Sequence, residues 1–166
     1  MNYRVIEGHS GIALTSDIQR QALLDSIGPM DIVCEVGTHH GSTCRYLAER
    51  RSEARFICID NLASNPIIQW LANKQQNMNL FVGTLQEFAL VASTLFNMIF
   101  VDACHKEDPC YNDLETARLL VLPHGTIVAH DYGFEGVTAA VDRYCLKYRA
   151  SIVRKVECLA FIQVTP

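Results

Sequence analysis

Hydrophobic positions in this chain fall into short unbroken runs separated by longer stretches of mixed pattern. The runs are Ile32-Val-Cys34, Phe56-Ile-Cys-Ile59, Leu80-Phe-Val82, Met98-Ile-Phe-Val101 and Thr126-Ile-Val-Ala129. None alternates, so each predicts a strand buried on both faces. Between them, apolar residues recur three and four apart, which is the helical period. The pattern predicts helices from about Ser42 to Arg51, from Pro66 through Ile67, Ile68 and Leu71, and from Leu85 to Val91. Two more follow, one from an Asp108-Pro109 start through Leu114, Ala117 and Leu120, and one from about Val137 to Tyr148. Residues 151–156 and 159–164 read as a closing antiparallel pair. Strands alternating with helices give an α/β fold with a doubly wound, mostly parallel sheet of about seven strands in a single domain, residues 1–166. Residues 1–30 form a lead-in. Ser16 caps a helix with Ile18, Ala22, Leu23 and Ile27 inward, Gly28-Pro29 ends it, and residues 8–14 offer a flap.

The polar residues that close the runs change the picture from fold to site. Four runs lead into a carboxylate, at Glu35, Asp60, Asp102 and Asp131. In a parallel sheet the C-terminal strand ends share one rim, and ligands bind in the crevice there. Like charges crowded at low dielectric need cations or donors between them, so the four acids predict a ligand site. After Glu35 comes Gly37-Thr-His-His-Gly41, then Ser42-Thr43 opening a helix. In a dinucleotide-binding loop a middle glycine lets the backbone touch a pyrophosphate. Here that position is His39, so a ligand without a pyrophosphate suits the loop better. A side chain added at Gly37 is expected to enter the ligand's space. Asp60 sits one strand–helix unit further on, where a carboxylate can accept from both hydroxyls of a ribose. His105 and His130 flank rim carboxylates and are candidate general bases.

Composition narrows the class. The 166 residues are 49% hydrophobic and 19% charged, a globular balance with enough chain for a sizeable core. Net charge is -4 and no basic block appears, so nucleic acid is not an expected partner. Seven cysteines, at 34, 44, 58, 104, 110, 145 and 158, include no C-x-x-C pair. Their odd number and the place of Cys34 and Cys58 in strand-like runs point to a reducing, cytoplasmic setting. No apolar run is long enough to span a bilayer, and no signal peptide is visible.

Taken together, Glu35-Val-Gly-Thr-His-His-Gly-Ser42, Asp60, Asp102-Ala-Cys-His105, Asp113-Leu-Glu115 and Leu122-Pro-His-Gly-Thr-Ile-Val-Ala-His-Asp131-Tyr132 resemble a small class I S-adenosylmethionine (SAM)-dependent O-methyltransferase. The branch carries D-G-D-H and H-D-Y motifs and is related in layout to catechol-type O-methyltransferases. Two positions depart from it: D-G-D-H reads Asp102-Ala-Cys-His105, and a P-G-G turn reads Pro123-His-Gly125. The resemblance implies a Rossmann-like fold and methyl transfer from SAM to an oxygen of a small molecule. It implies that Glu35, Gly37, Thr38, Gly41 and Ser42 hold the methionine part of SAM. Asp60, with Asn61, would hold the ribose, Thr84 and Leu85 would edge the adenine, and Asp102 would lie near the sulfonium. The metal-dependent relatives place acids at Asp102 and Asp131, which implies a divalent cation such as Mg²⁺. A histidine-based, metal-free proton transfer stays open beside it. So do a non-catalytic SAM-binding or interaction domain, another nucleotide-dependent α/β enzyme, and a homo-oligomer.

Overall fold

A computed structural model describes residues 15–61 and 75–164. In chain order the elements are α1 (Asp17–Asp25), β1 (Ile32–Val36), α2 (Ser42–Arg50), β2 (Arg55–Asp60), β3 (Met78–Val82), α3 (Leu85–Val91), β4 (Phe96–Val101), α4 (Glu107–Leu120), β5 (Val121–Ala129), α5 (Glu135–Tyr148), β6 (Ser151–Val156) and β7 (Leu159–Gln163). The expected helix from Pro66 and the expected flap at residues 8–14 lie outside the described residues.

The apolar runs become strands because both of their faces are covered. Along β1 and β4, alternate residues enter opposite cores. Val33, Met98 and Phe100 pack with Leu23, Leu47 and Ala48 of α1 and α2. Cys34, Ile99 and Val101 pack with Leu85, Leu114 and Val141 of α3, α4 and α5. The sheet order is β3-β2-β1-β4-β5-β7-β6. β1 pairs in parallel with both β2 and β4, so the winding reverses there and a crevice opens between their C-terminal ends. β7 runs antiparallel to both β5 and β6, as the expected closing pair.

Local chemistry explains the ends. Ser16 and Gln19 form a reciprocal capping box at α1. Gln19 takes an inward position that the apolar pattern had assigned to Ile18, which is 60% exposed. α4 starts two residues earlier than the Asp108-Pro109 pattern predicts: Lys106 is the N-cap and Pro109 sits in the first turn, where its missing N–H costs nothing. Pro123-His-Gly125 bulges out of β5 instead of preceding it. Phe96 pairs with Val121 and Met98 with Thr126, so four residues, 122–125, stand against Asn97 alone on β4.

The crevice is held by close backbone contacts. Gly37 donates to the Ile59 carbonyl, and Asp102 donates to the Val36 carbonyl, both at 2.8 Å. Gly37 has φ 86, and a Cβ there would stand 2.3 Å from the Asp102 carbonyl oxygen and 2.6 Å from Ala103 Cα. The glycine is therefore required by the neighbouring strand end, which corrects the expectation that a side chain would intrude only on the ligand. At the start of α5, a Cβ on Gly136 would stand 2.3 Å from the His105 carbonyl oxygen, so this glycine lets the helix seat against the loop after β4.

Gly37→Ala is accordingly expected to destabilise the fold by roughly 2–4 kcal/mol, from left-handed backbone strain plus overpacking. Urea unfolding measures it, and a midpoint equal to the parent's would show that the turn yields without cost.

Candidate functional site

A cleft of about 910 Å³ opens above the C-terminal ends of β1 to β4. Among the residues expected in a site, Glu35, Gly37, Thr38, Ser42, Asp60, Asn61, Thr84, Leu85, Asp102 and His105 line it. Gly41, His130 and Asp131 do not. Gly41 is the N-cap of α2, in the left-handed conformation at φ 70. His130 and Asp131 stand behind Asp102 and His105.

Glu35 lies within β1 rather than at its end. Its side chain is buried, the residue is 5% exposed, and Oε2 has no hydrogen-bond partner among the described residues. Burial raises its pKa well above the ordinary carboxylate value. Cys58 and Asp102 push the same way, and the Thr38 hydroxyl opposes them. Asp60 accepts from the His39 N–H at 2.6 Å, which ties the end of β2 to the glycine loop. Thr84 caps α3, accepting from Glu87 N–H while the Glu87 carboxylate returns to Thr84.

The charge of the wall is one-sided. Among the described residues lining the cleft are five carboxylates, Glu35, Asp60, Asp102, Asp113 and Glu115, with His39, His40 and His105, and no lysine or arginine. Such a surface favours a ligand that carries positive charge. A pyrophosphate would meet no guanidinium or ammonium there.

Beyond β4 and β5 a second set of groups interlocks. His130 Nδ1 stands 2.9 Å from Asp102 Oδ1 and 3.2 Å from Asp131 Oδ2. Its ring is buried edge-on to Phe100, and Nε2 faces Gln19 Oε1 at 3.4 Å and Cys158 Sγ at 3.6 Å. Burial alone would lower the His130 pKa, but the hydrogen bonds to Asp102 and Asp131 outweigh it and raise it to about 10. His130 is thus a buried imidazolium shared by two carboxylates. Burial raises Asp102, partly countered by His130, whereas for Asp131 the histidines prevail over burial and lower it. Asp131 adopts φ 58, a turn that swings its carboxylate back to His105 Nε2 at 2.8 Å. His105 itself is exposed to the cleft.

Gln19 and Cys158 were not legible as parts of this set. Gln19 Nε2 lies 2.8 Å from Cys158 Sγ, and the only sign in the sequence is that Gln19 stands three residues after Ser16 as a capping partner. Cys158 comes from the β6–β7 turn, with nothing in its neighbours to mark it.

The same cluster tests the expected metal. Asp102, His105 and Asp131 place one ligand atom each within 4.8 Å of one another. Two of those three positions are already committed: Asp102 Oδ1 and Asp131 Oδ2 both face the His130 imidazolium. The third donor is a nitrogen, and Tyr132, where another hard oxygen would help, points its hydroxyl to Asp142 at 3.1 Å. Mg²⁺ requires oxygen ligands in near-octahedral geometry, so this donor set does not fit it.

Three comparisons bear on this arrangement. No curated protein sequence matches the chain. The O-methyltransferase TomG from Streptomyces achromogenes, involved in tomaymycin synthesis and solved with SAM, superposes with TM-score 0.71 at 17% identity, covering 92% of this chain and 82% of that one. CalS11, a TDP-rhamnose 3'-O-methyltransferase of calicheamicin biosynthesis, gives TM-score 0.61 at 13% identity over 86% and 74%. An rRNA methylase from Streptococcus thermophilus gives 0.68 at 12% over 93% and 99%. These likenesses establish the fold. The profile of the family described as a methyltransferase domain matches residues 34–132, which span β1, the cleft and the His130-Asp131 turn. The chain therefore belongs to the methyltransferase domain family, and its fold is that of the class I SAM-dependent methyltransferases.

Proposed function

We propose that the cleft binds SAM and that the protein transfers its methyl group to a hydroxyl oxygen of a small molecule, without a metal. The observation that carries this reading is the buried Glu35 carboxyl, whose Oε2 has no partner among the described residues, in a cleft wall whose described residues include no lysine or arginine. An ammonium is the partner such a group lacks, and its arrival would draw the carboxyl to its ionised form. Gly37, Thr38 and Ser42 frame the same end of the cleft, while Asp60 and Asn61 meet the ribose. The lack of lysine and arginine among the described residues of the cleft wall also favours a small acceptor over a nucleic acid.

SAM supplies an activated methyl group, so the protein's own task is to align an acceptor oxygen and remove its proton. His105 is the general base. Asp131 Oδ2 stands 2.8 Å from its Nε2, which favours the tautomer protonated there and leaves Nδ1, without a partner among the described residues, to take the proton. This pairing supports a working enzyme over a passive binding domain. His130 is not a base: it is charged, buried and engaged by two carboxylates. It is a positioning residue that keeps Asp102 and Asp131 in register.

SAM and S-adenosylhomocysteine are expected to raise the melting temperature, while NAD does not. Asp60→Ala should weaken the effect by roughly 1–3 kcal/mol. A shift with NAD and none with SAM would remove the cofactor assignment.

Methyl transfer from labelled SAM to hydroxylated acceptors should persist in EDTA and fall about a hundredfold or more in His105→Gln, with SAM affinity retained. Loss of activity in EDTA would return the metal.

His130 also sets a pH dependence. Its folded pKa, about 10, lies above the ordinary 6.5, so its stabilisation is complete below about 6.5 and is lost as pH rises through about 10. Denaturation midpoints should fall across that window in the parent, and the fall should flatten in His130→Asn. Equal slopes in the two proteins would mean that the imidazolium is not shared as described.

A further inference from the structure

A pair of buried thiols has no part in the roles above. Glu35 of β1 is paired in register with Cys58 of β2, so their side chains leave the same face of the sheet, toward α2. Cys44, the third residue of α2, comes down on that face, and its Sγ lies 3.0 Å from Cys58 Sγ. Both cysteines are 1% exposed and belong to the core formed with Val33, Leu47 and Phe100. One ligand atom from each of Glu35, Cys44 and Cys58 lies within 4.8 Å of the other two.

Two other groups of side chains come as close together, but both are built on groups that His130 already engages. Here the carboxyl is unspent: Glu35 Oε2 has no partner among the described residues. Two sulfurs and one carboxylate oxygen are a donor set for Zn²⁺ and similar cations, not for Mg²⁺. Zn–S bonds of about 2.3 Å in a tetrahedron hold two sulfurs about 3.8 Å apart, so the pair need open by under about 1 Å. A fourth ligand can arrive from the cleft, which Glu35 also lines.

We propose that Glu35, Cys44 and Cys58 form a binding site for a thiophilic divalent cation of the Zn²⁺ class, and that filling it draws Glu35 away from the cleft. Each thiol releases its proton to solvent as its sulfur coordinates, so no oxidant or reductant takes part. The cation uses the carboxylate that would otherwise meet the cofactor's ammonium, so cation and cleft ligand bind against each other, each weakening the other by the same factor. The cation site stands without the SAM reading; the antagonism rests on it.

The test is titration of the metal-free parent, Cys44→Ala, Cys58→Ala and Cys34→Ala with Zn²⁺ against a chromophoric chelator, and with Cd²⁺, whose thiolate complexes absorb in the ultraviolet. Cys34 is buried on the opposite face of β1 and serves as the control. The parent is expected to bind Zn²⁺ with a Kd of roughly micromolar or below and to show the Cd²⁺–thiolate band. Cys44→Ala and Cys58→Ala should each weaken Zn²⁺ binding by about a hundredfold or more and diminish the band, while Cys34→Ala matches the parent. Undiminished binding in the first two variants overturns the site. So does a parent without the Cd²⁺ band, a result that needs no variant to fold, or one that joins Cys44 to Cys58 in a disulfide and takes up no Zn²⁺. Saturating S-adenosylhomocysteine should weaken Zn²⁺ binding to the parent by about tenfold or more. If it binds and leaves the Zn²⁺ affinity unchanged, the antagonism is overturned. If it does not bind the metal-free parent, the SAM reading fails, and the cysteine variants still decide the cation site.

Discussion

Crowded negative charge at the end of a parallel sheet is the constraint on which this structure turns. Strand order brings Glu35, Asp60 and Asp102 to one rim, with Asp131 one strand beyond. The protein copes with these acids in different ways. Asp60 is bound by a backbone N–H of the glycine loop. Asp102 and Asp131 share one imidazolium. Glu35 keeps a buried carboxyl whose pKa is raised by burial and whose Oε2 has no partner among the described residues. The first two arrangements hold their acids in place with bonds inside the protein. The third leaves a demand that only a ligand meets, so the same crowding that shapes the rim also marks where chemistry enters.

The sheet was legible because its strands are apolar on both faces, and residues such as Cys34 and Val33 show why: successive side chains serve different cores. The rim acids were legible because carboxylates after apolar runs are rare without cause. Burial was harder to read. His130 follows Ala129 and precedes Asp131 and Tyr132, a polar sequence that suggests an exposed base. Its burial comes from Phe100, Gln19 and Cys158, which are distant in the chain. The same limit hid the purpose of Gly37, whose neighbour is the Asp102 carbonyl of another strand. Helix phase failed where a polar residue took an inward place, as Gln19 did over Ile18.

The two sides of the cleft divide stability from reactivity. On one side the bonds are backbone-made and close: the Gly37 and Asp102 amides extend the sheet past its last paired residues. On the other side the bonds join side chains from four elements, α1, β4, the turn after β5 and the β6–β7 turn. Gly136 brings α5 close enough to fix the loop that carries His105. His105 is therefore presented by a loop against which α5 packs closely.

The acidic cleft wall has a consequence for the direction of turnover. Under the proposed function, SAM would bring a sulfonium charge into this surface of carboxylates, and the attraction would contribute to binding. Transfer would convert that centre to a neutral thioether and remove the attraction at the same moment, so the wall that recruits the reagent would hold its by-product less firmly.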